Sequence, residues 1–231
     1  GLINAAGPWV GSVAETVIRV EGPARARLVK GSHIVVRKLF DHDTAYIFQN
    51  PDRRIVFAIP YENDFTLIGT TDENYLGDPA GVAPSSNEIG YLCETASRYF
   101  RESVTTQDIV HAYAGVRSLY DDGSKRPENV TRDYHLDFDK SFGQAPLLTV
   151  YGGKITTYRK LAEAALKRLG NVFAPNRPWT ARVPLPGGNF PYNGVDAQVA
   201  QARRTWPFLE DEHALRLVRA YGTRIDQVLG K

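Results

Sequence analysis

The residues best suited to chemistry are two cations beside glycines: Arg117 in Gly115-Val-Arg117-Ser-Leu and Lys154 in Gly152-Gly-Lys154-Ile-Thr-Thr. Each follows a strand-like run. Gly152 and Gly153 would let the backbone come close to a ligand, since no Cβ intervenes. The N–H groups opening the next helix, at its positive dipole end, would stabilise an anion there, and Lys154 adds a full charge. A phosphate or a reduced flavin ring would suit such a turn. The alternative is a tight strand-to-helix turn with a solvated lysine, and the spacing of a P-loop is absent. Arg117 could hold a carboxylate or phosphate by paired hydrogen bonds. Otherwise it is a structural arginine paired with Asp121 or Asp122.

His33 follows Lys30-Gly31-Ser32 at the start of a strand. Its ordinary pKa of about 6.5 would suit a general base, although a lone histidine is more often structural. His42, His111, His135 and His213 show no metal-ligand spacing, so no metal is expected. Arg25, Arg27, Lys30, Arg37 and Lys38 fall between Gly22 and Phe40 with no acid among them. Such a run could attract an anionic substrate or lipid headgroups, or form a solvated basic face. Nucleic-acid binding through it is the weakest alternative.

The chain has 231 residues, 42% hydrophobic and 23% charged, which suits one large domain or two smaller ones. A net charge of +2 is too near neutral to argue for a polyanion partner. The single Cys93 excludes an internal disulfide and fits a reducing compartment. No apolar run approaches the roughly 20 residues a membrane-spanning helix needs. Methionine is absent, and Gly1–Gly7 suggests a buried strand running into a small-residue turn. Because termini usually lie exposed, the expectation is a fragment of a longer chain.

The elements that must position these residues follow from periodicity. Trp9 to Val20 suggest a helical or irregular stretch. Strand-like runs at 33–37, 44–49, 54–59 and 65–69 are joined by turn chemistry at Asn50-Pro51-Asp52 and Tyr61–Asp64, which predicts an antiparallel meander. Ser85-Ser-Asn-Glu88 is a capping box, opening a helix with Ile89, Leu92, Ala96 and Tyr99 on one face. Further strands are expected at 109–114, 130–138 and 147–151. A helix through Leu161, Ala165 and Leu169 then ends at Gly170. A Pro-, Gly- and Asn-rich linker spans 171–193, and helices at 195–206, 210–221 and just after Thr223 close the chain.

Taken in order, six stretches resemble one family. They are Asn4-Ala-Ala-Gly-Pro-Trp9, Lys30-Gly-Ser-His33-Ile-Val-Val, Gly69-Thr-Thr-Asp72, Gly115-Val-Arg117, Thr131-Arg-Asp133-Tyr and Gly152-Gly-Lys154-Ile-Thr-Thr-Tyr-Arg159-Lys-Leu-Ala. They look like the aerobic, FAD-dependent glycerol-3-phosphate dehydrogenases over nearly the whole chain. One departure is Ser118, where many members carry proline.

That resemblance implies an α+β class with the D-amino-acid-oxidase-like FAD fold. Residues 13–112 would form an antiparallel-sheet substrate domain, and 1–12 with 113–170 the residual FAD-domain elements. Residues 171–231 would be the linker and a truncated helical C-terminal domain. It also implies that His33, Arg117 and Lys154 are catalytic, with His33 as base. Ala6, Gly7, Gly152, Gly153, Lys154, Ile155 and Thr156 would contact FAD. The implied substrate is glycerol 3-phosphate, with a membrane quinone or oxygen as electron acceptor. The implied setting is cytoplasmic, peripheral to the inner membrane, and homodimeric. The Gly-x-Gly-x-x-Gly segment such enzymes open with is absent, so the chain alone is expected to hold no stable flavin and to show no turnover. A non-catalytic binding or interaction domain is the competing class.

Overall fold

The computed structural model describes residues 1–19, 26–121, 123, 131–140, 145–170, 172 and 177–230. Arg25, Asp122, Val130 and parts of the expected linker (171 and 173–176) lie outside them. The chain divides into two compact units, Gly1–Ala174 and Pro175–Lys231.

In the first unit, β1 (Leu2–Asn4) leads through a 3₁₀ turn (Gly7–Trp9) into α1 (Val10–Ser12) and a π-helical stretch, Val13–Ile18. An antiparallel sheet follows, made of β2 (Ala26–Arg37), β3 (Tyr46–Gln49), β4 (Ile55–Tyr61), β5 (Phe65–Gly69), β6 (Glu73–Asn74) and, after α2 (Ser86–Tyr99), β7 (Ile109–Tyr120). Its order is β3-β4-β5-β2-β6, with β7 on the other edge of β2. β8 (His135–Asp139) and β9 (Leu147–Tyr151) form a second sheet in which β1 runs parallel to β9 and β8 antiparallel to it. A 3₁₀ turn (Ile155–Thr157) and α3 (Tyr158–Arg168) come next.

The expected meander is present, but β2 and β7 are longer than the periodicity suggested. They pair from Ala26↔Tyr120 to Val36↔Ile109, broken only by a bulge at Val35/Val36. Residues 113–120 therefore pair within the six-stranded sheet. Extended pairing with β2 overrode the glycine signal at Gly115. β8 begins at His135, five residues after the expected start. β1 is also less buried than expected. Leu2 and Ile3 are about half exposed, and among the described residues β1 pairs only with β9.

β2 organises the unit through its two faces, since successive side chains alternate across a sheet. Ile34 and Val36 point toward α2 and join Val56, Ala58, Ile68, Leu92, Cys93 and Ala96 in the main core. Lys30 and Ser32 point the same way and meet Glu88 in the first turn of α2. Glu88 completes the capping box with Ser85. Its carboxylate also accepts from the Lys30 ammonium at 2.7 Å, the Ser32 hydroxyl at 2.8 Å and the Thr71 hydroxyl at 2.7 Å. Burial alone would raise the Glu88 pKa, but hydrogen bonds from Lys30, Ser85 and Thr71 outweigh it and hold it at about 2. The expected basic face thus does not form as one surface. Lys30 is buried, Arg27 bonds Asn74, Arg37 lies over the Phe65 ring, and Lys38 pairs with Asp41.

The second unit holds α4 (Val195–Thr205), α5 (Asp211–Tyr221) and α6 (Ile225–Leu229). They pack around Ala202, Leu209, Ala214, Leu217, Val218 and Ile225.

Removing the Glu88 charge should be severe, because it leaves the buried Lys30 ammonium with only its longer 3.8 Å contact to Glu73. Glu88→Gln is expected to lower stability by roughly 3–5 kcal/mol at neutral pH. A carboxylate with a depressed folded-state pKa contributes stability above its unfolded pKa of about 4.5 and loses it as pH falls toward about 2. The difference between parent and variant should therefore shrink across that window in denaturant titrations. A difference that stays constant with pH would contradict this.

Candidate functional site

The face of β2 turned away from α2 carries Gly31 and His33. Across the ladders stand Gly115, Tyr113 and Arg117 on β7 and Gly69 on β5. Gly31 and Gly69 leave room on this face for the side chains of Arg117 and His33.

Arg117 is fixed by an interruption in the sheet. β5 leaves β2 at Gly69, opposite His33, and β6 rejoins it at Glu73, opposite Lys30. Thr70, Thr71 and Asp72 between them leave the ladder. The Ser32 N–H, which a continuous strand would have paired, donates instead to the Thr71 hydroxyl at 2.9 Å. Thr71 in turn donates to Glu88. On the open face, Arg117 donates to the Thr70 hydroxyl at 3.1 Å and to Asp72 at 3.0 Å. The other Asp72 oxygen accepts from Arg132 at 2.8 Å. Arg117 is thus paired with Asp72, not with Asp121 as considered from sequence. One carboxylate against two guanidiniums leaves the cluster a net positive charge. Burial lowers the Arg117 pKa, Asp72 opposes that and Arg132 adds to it.

The guanidinium lies directly over Gly31. A Cβ there would stand 2.6 and 2.8 Å from its terminal nitrogens. His33 is close enough for the Arg117 charge to matter. Its pKa is lowered, first by burial and then by Arg117. Its Nδ1 is buried and finds no hydrogen-bond partner among the described residues.

The Gly152-Gly153 turn meets the same strand. Both glycines have positive φ, +67° and +100°. A Cβ on Gly152 would come 2.9 Å from the Asp133 carbonyl and 3.6 Å from that of Ser118, the residue after Arg117. A Cβ on Gly153 would come 2.8 Å from Leu161. The glycines are therefore required by close approach as well as by turn geometry. Thr157 closes the turn by accepting from the Lys154 N–H and donating to its carbonyl. Ile155 and Thr156 open the helical turn with N–H groups that have no intrahelical acceptor. Ile155 is 87% exposed. The Lys154 side chain makes no ion pair among the described residues. The turn at Ala6 and Gly7 also packs on β7, and Gly7 has open space where a Cβ would sit.

Chain segments far apart in sequence thus converge on β7, while the Lys154 ammonium has no ion-pair partner among the described residues. Sequence reasoning did not single out Asp72, Thr70 or Arg132 as partners of Arg117, although they lie in the stretches Gly69–Asp72 and Thr131–Asp133. The isolated Gly31 inside a long strand was the available signal, since such a glycine marks close approach of another group.

These features define an α+β scaffold in which an antiparallel sheet carrying a net positive cluster adjoins a strand–glycine–helix turn. The chain belongs to the FAD dependent oxidoreductase family, whose profile matches residues 1–159. It is 49% identical over 229 residues to a glycerol-3-phosphate dehydrogenase of Pseudomonas aeruginosa, covering 99% of this chain and 44% of that protein. It is 43% identical to a D-erythritol 1-phosphate dehydrogenase of Brucella abortus, covering 99% and 45%. Among solved structures it resembles the glycerol-3-phosphate dehydrogenase from Bacillus halodurans complexed with FAD. That match has a TM-score of 0.81 and 28% identity over 98% of this chain and 44% of the other. The chain spans about half the length of the curated relatives it matches.

Gly31→Ala should displace the Arg117 guanidinium from Thr70 and Asp72 while leaving the β2–β7 pairing intact, as a crystal structure of the variant would reveal. An Arg117 fork that stays in place above Ala would contradict the close packing described.

Proposed function

We propose that this chain forms the substrate-facing part of an FAD-dependent dehydrogenase that oxidises sn-glycerol 3-phosphate to dihydroxyacetone phosphate. The observation that carries this reading is the Arg117 guanidinium, held by Thr70 and Asp72 over Gly31 and beside His33.

The residues fit a flavin. The Gly152-Gly153 turn offers a helix N-terminus with free amides, an uncommitted Lys154 and the exposed apolar Ile155. Ala6 and Gly7 add a turn with open space on the same strand. FAD, when bound, supplies the hydride-accepting chemistry. Gly152, Gly153, Lys154, Ile155 and Thr156 would hold it, and Lys154 with the helix amides would favour negative charge on it. His33 would take the proton from the substrate C2 hydroxyl, whose oxidation needs the hydride acceptor that FAD would supply. A neutral imidazole is required for that step, and burial and the Arg117 charge both favour that form of His33. Arg117 orients the hydroxyl oxygen and stabilises the charge that develops on it. The net positive Arg117–Asp72–Arg132 cluster favours an anionic substrate.

Domain roles follow the same reading. The six-stranded sheet is the substrate side, and β1, β8, β9 and α3 belong to the flavin side. Electrons pass to a membrane quinone, with the protein a homodimer attached peripherally to the inner membrane from the cytoplasm. This rests on likeness to the aerobic enzymes. No helix among the described residues is long and apolar enough to cross a membrane. The 43% identity to an erythritol-phosphate enzyme makes a four-carbon polyol phosphate the second reading.

In the FAD-loaded enzyme, Arg117→Ala should lower kcat/KM for glycerol 3-phosphate by at least ~100-fold, the usual worth of a preorganised charge. Turnover near that of the parent would sink the assignment. Comparing glycerol 3-phosphate with erythritol 1-phosphate, and quinone reduction with peroxide formation, settles substrate and acceptor.

A further inference from the structure

We propose that Tyr113 is a positioning residue for His33, its ring and the bare Cα of Gly69 together fixing the plane of the imidazole. This deepens the assignment of His33 as base and rests on it.

A catalytic imidazole is usually oriented by a hydrogen bond to its second nitrogen, which fixes both tautomer and ring plane. His33 lacks that device, since its buried Nδ1 has no partner among the described residues. Its orientation must come from packing. The ladder places His33 opposite Gly69 on β5 and opposite Tyr113 on β7. The Tyr113 ring lies 5.0 Å from the imidazole, centroid to centroid, with only 8° between the planes. On the other strand, a Cβ at Gly69 would overlap imidazole Cδ2 and stand 2.7 Å from Cγ and 2.9 Å from Nε2. The imidazole therefore occupies the volume that any other residue at 69 would fill. His111, also on β7, backs Tyr113 at 6.1 Å and 27°.

The charged and titratable groups around His33 are few. β7 contributes Arg117, itself paired with Asp72, together with Tyr113 and His111. β5 contributes only Gly69. Tyr61 on β4 lies within electrostatic range of Tyr113, whose phenol pKa is raised by burial and then by Tyr61. Tyr113 thus acts on His33 through its ring face, which stacks on the imidazole.

The test is proton NMR of the imidazole signals through a pH titration, with His33 assigned by loss of its signal in His33→Gln. In the parent, His33 should titrate below 6.5 and show ring-current-shifted protons. Tyr113→Leu should abolish the ring-current shift and move the titration upward, and Tyr113→Phe should preserve both. Gly69→Ala, a second route to the same clamp, should displace the His33 resonances. Unchanged His33 signals in Tyr113→Leu, or in Gly69→Ala, would overturn the proposal. In the FAD-loaded enzyme, the acid limb of the kcat/KM profile should shift with the NMR titration in Tyr113→Leu and stay at the parent position in Tyr113→Phe. If the NMR titration moves and the acid limb does not, His33 is not the base and Tyr113 positions nothing catalytic. If the acid limb tracks His33 but Tyr113 variants leave both alone, the clamp alone fails.

Discussion

The carboxylate of Glu88 is the point on which the first unit depends. It is buried and carries a full charge, so its solvation must come from within the protein. Lys30, Ser32, Thr71 and Ser85 provide it. Those donors come from β2, from the 70–72 interruption and from the start of α2. A single carboxylate thereby fixes the helix terminus, the sheet and the loop that leaves it. With Thr71 drawn to one side of the sheet, Thr70 and Asp72 are free to face the other, where they hold Arg117. A buried, fully satisfied charge on one face thus orients a partly exposed charge on the opposite face.

β2 makes this arrangement possible by its length and its alternation. Its twelve residues present apolar and hydrogen-bonding side chains to α2 and glycine plus histidine to the open face. The glycines at 31 and 69 have no side chain to pack, and in each case another residue's functional group occupies the space. The strand's other edge is β7, and the two glycine turns, at Gly7 and at Gly152-Gly153, also come to β7. A ligand held at those turns and a substrate held at Arg117 would therefore share one strand as reference frame.

Much of the fold was legible in the sequence where the signal is local. The meander, the capping box at Ser85 and the helix ending before Gly170 follow from turn chemistry, capping geometry and periodicity over short windows. The length of β2 and β7 was not, because Gly31 and Gly115 face each other across the ladder and each looks like a strand breaker alone. The burial of β1 was overestimated, since apolar composition does not tell how many neighbours a strand has. At the site, Arg117, Lys154 and His33 were conspicuous by residue type beside glycine. Their supports were not, because Asp72 and Arg132 are separated from Arg117 by long stretches of chain and nothing local predicts the pairing. The basic run misled for the opposite reason. Charges adjacent in sequence on a strand alternate between faces, and one of them, Lys30, is the buried partner of Glu88.

Coupling between the buried carboxylate and the guanidinium can be measured by a double-mutant cycle on kcat/KM of the FAD-loaded enzyme, using Thr71→Val and Arg117→Ala. Thr71→Val should lower kcat/KM in the parent, because the 70–72 segment loses its tie to Glu88 and Arg117 loses its orientation. In the Arg117→Ala background the same change should have little further effect. Equal losses in both backgrounds would mean that the buried network does not position Arg117.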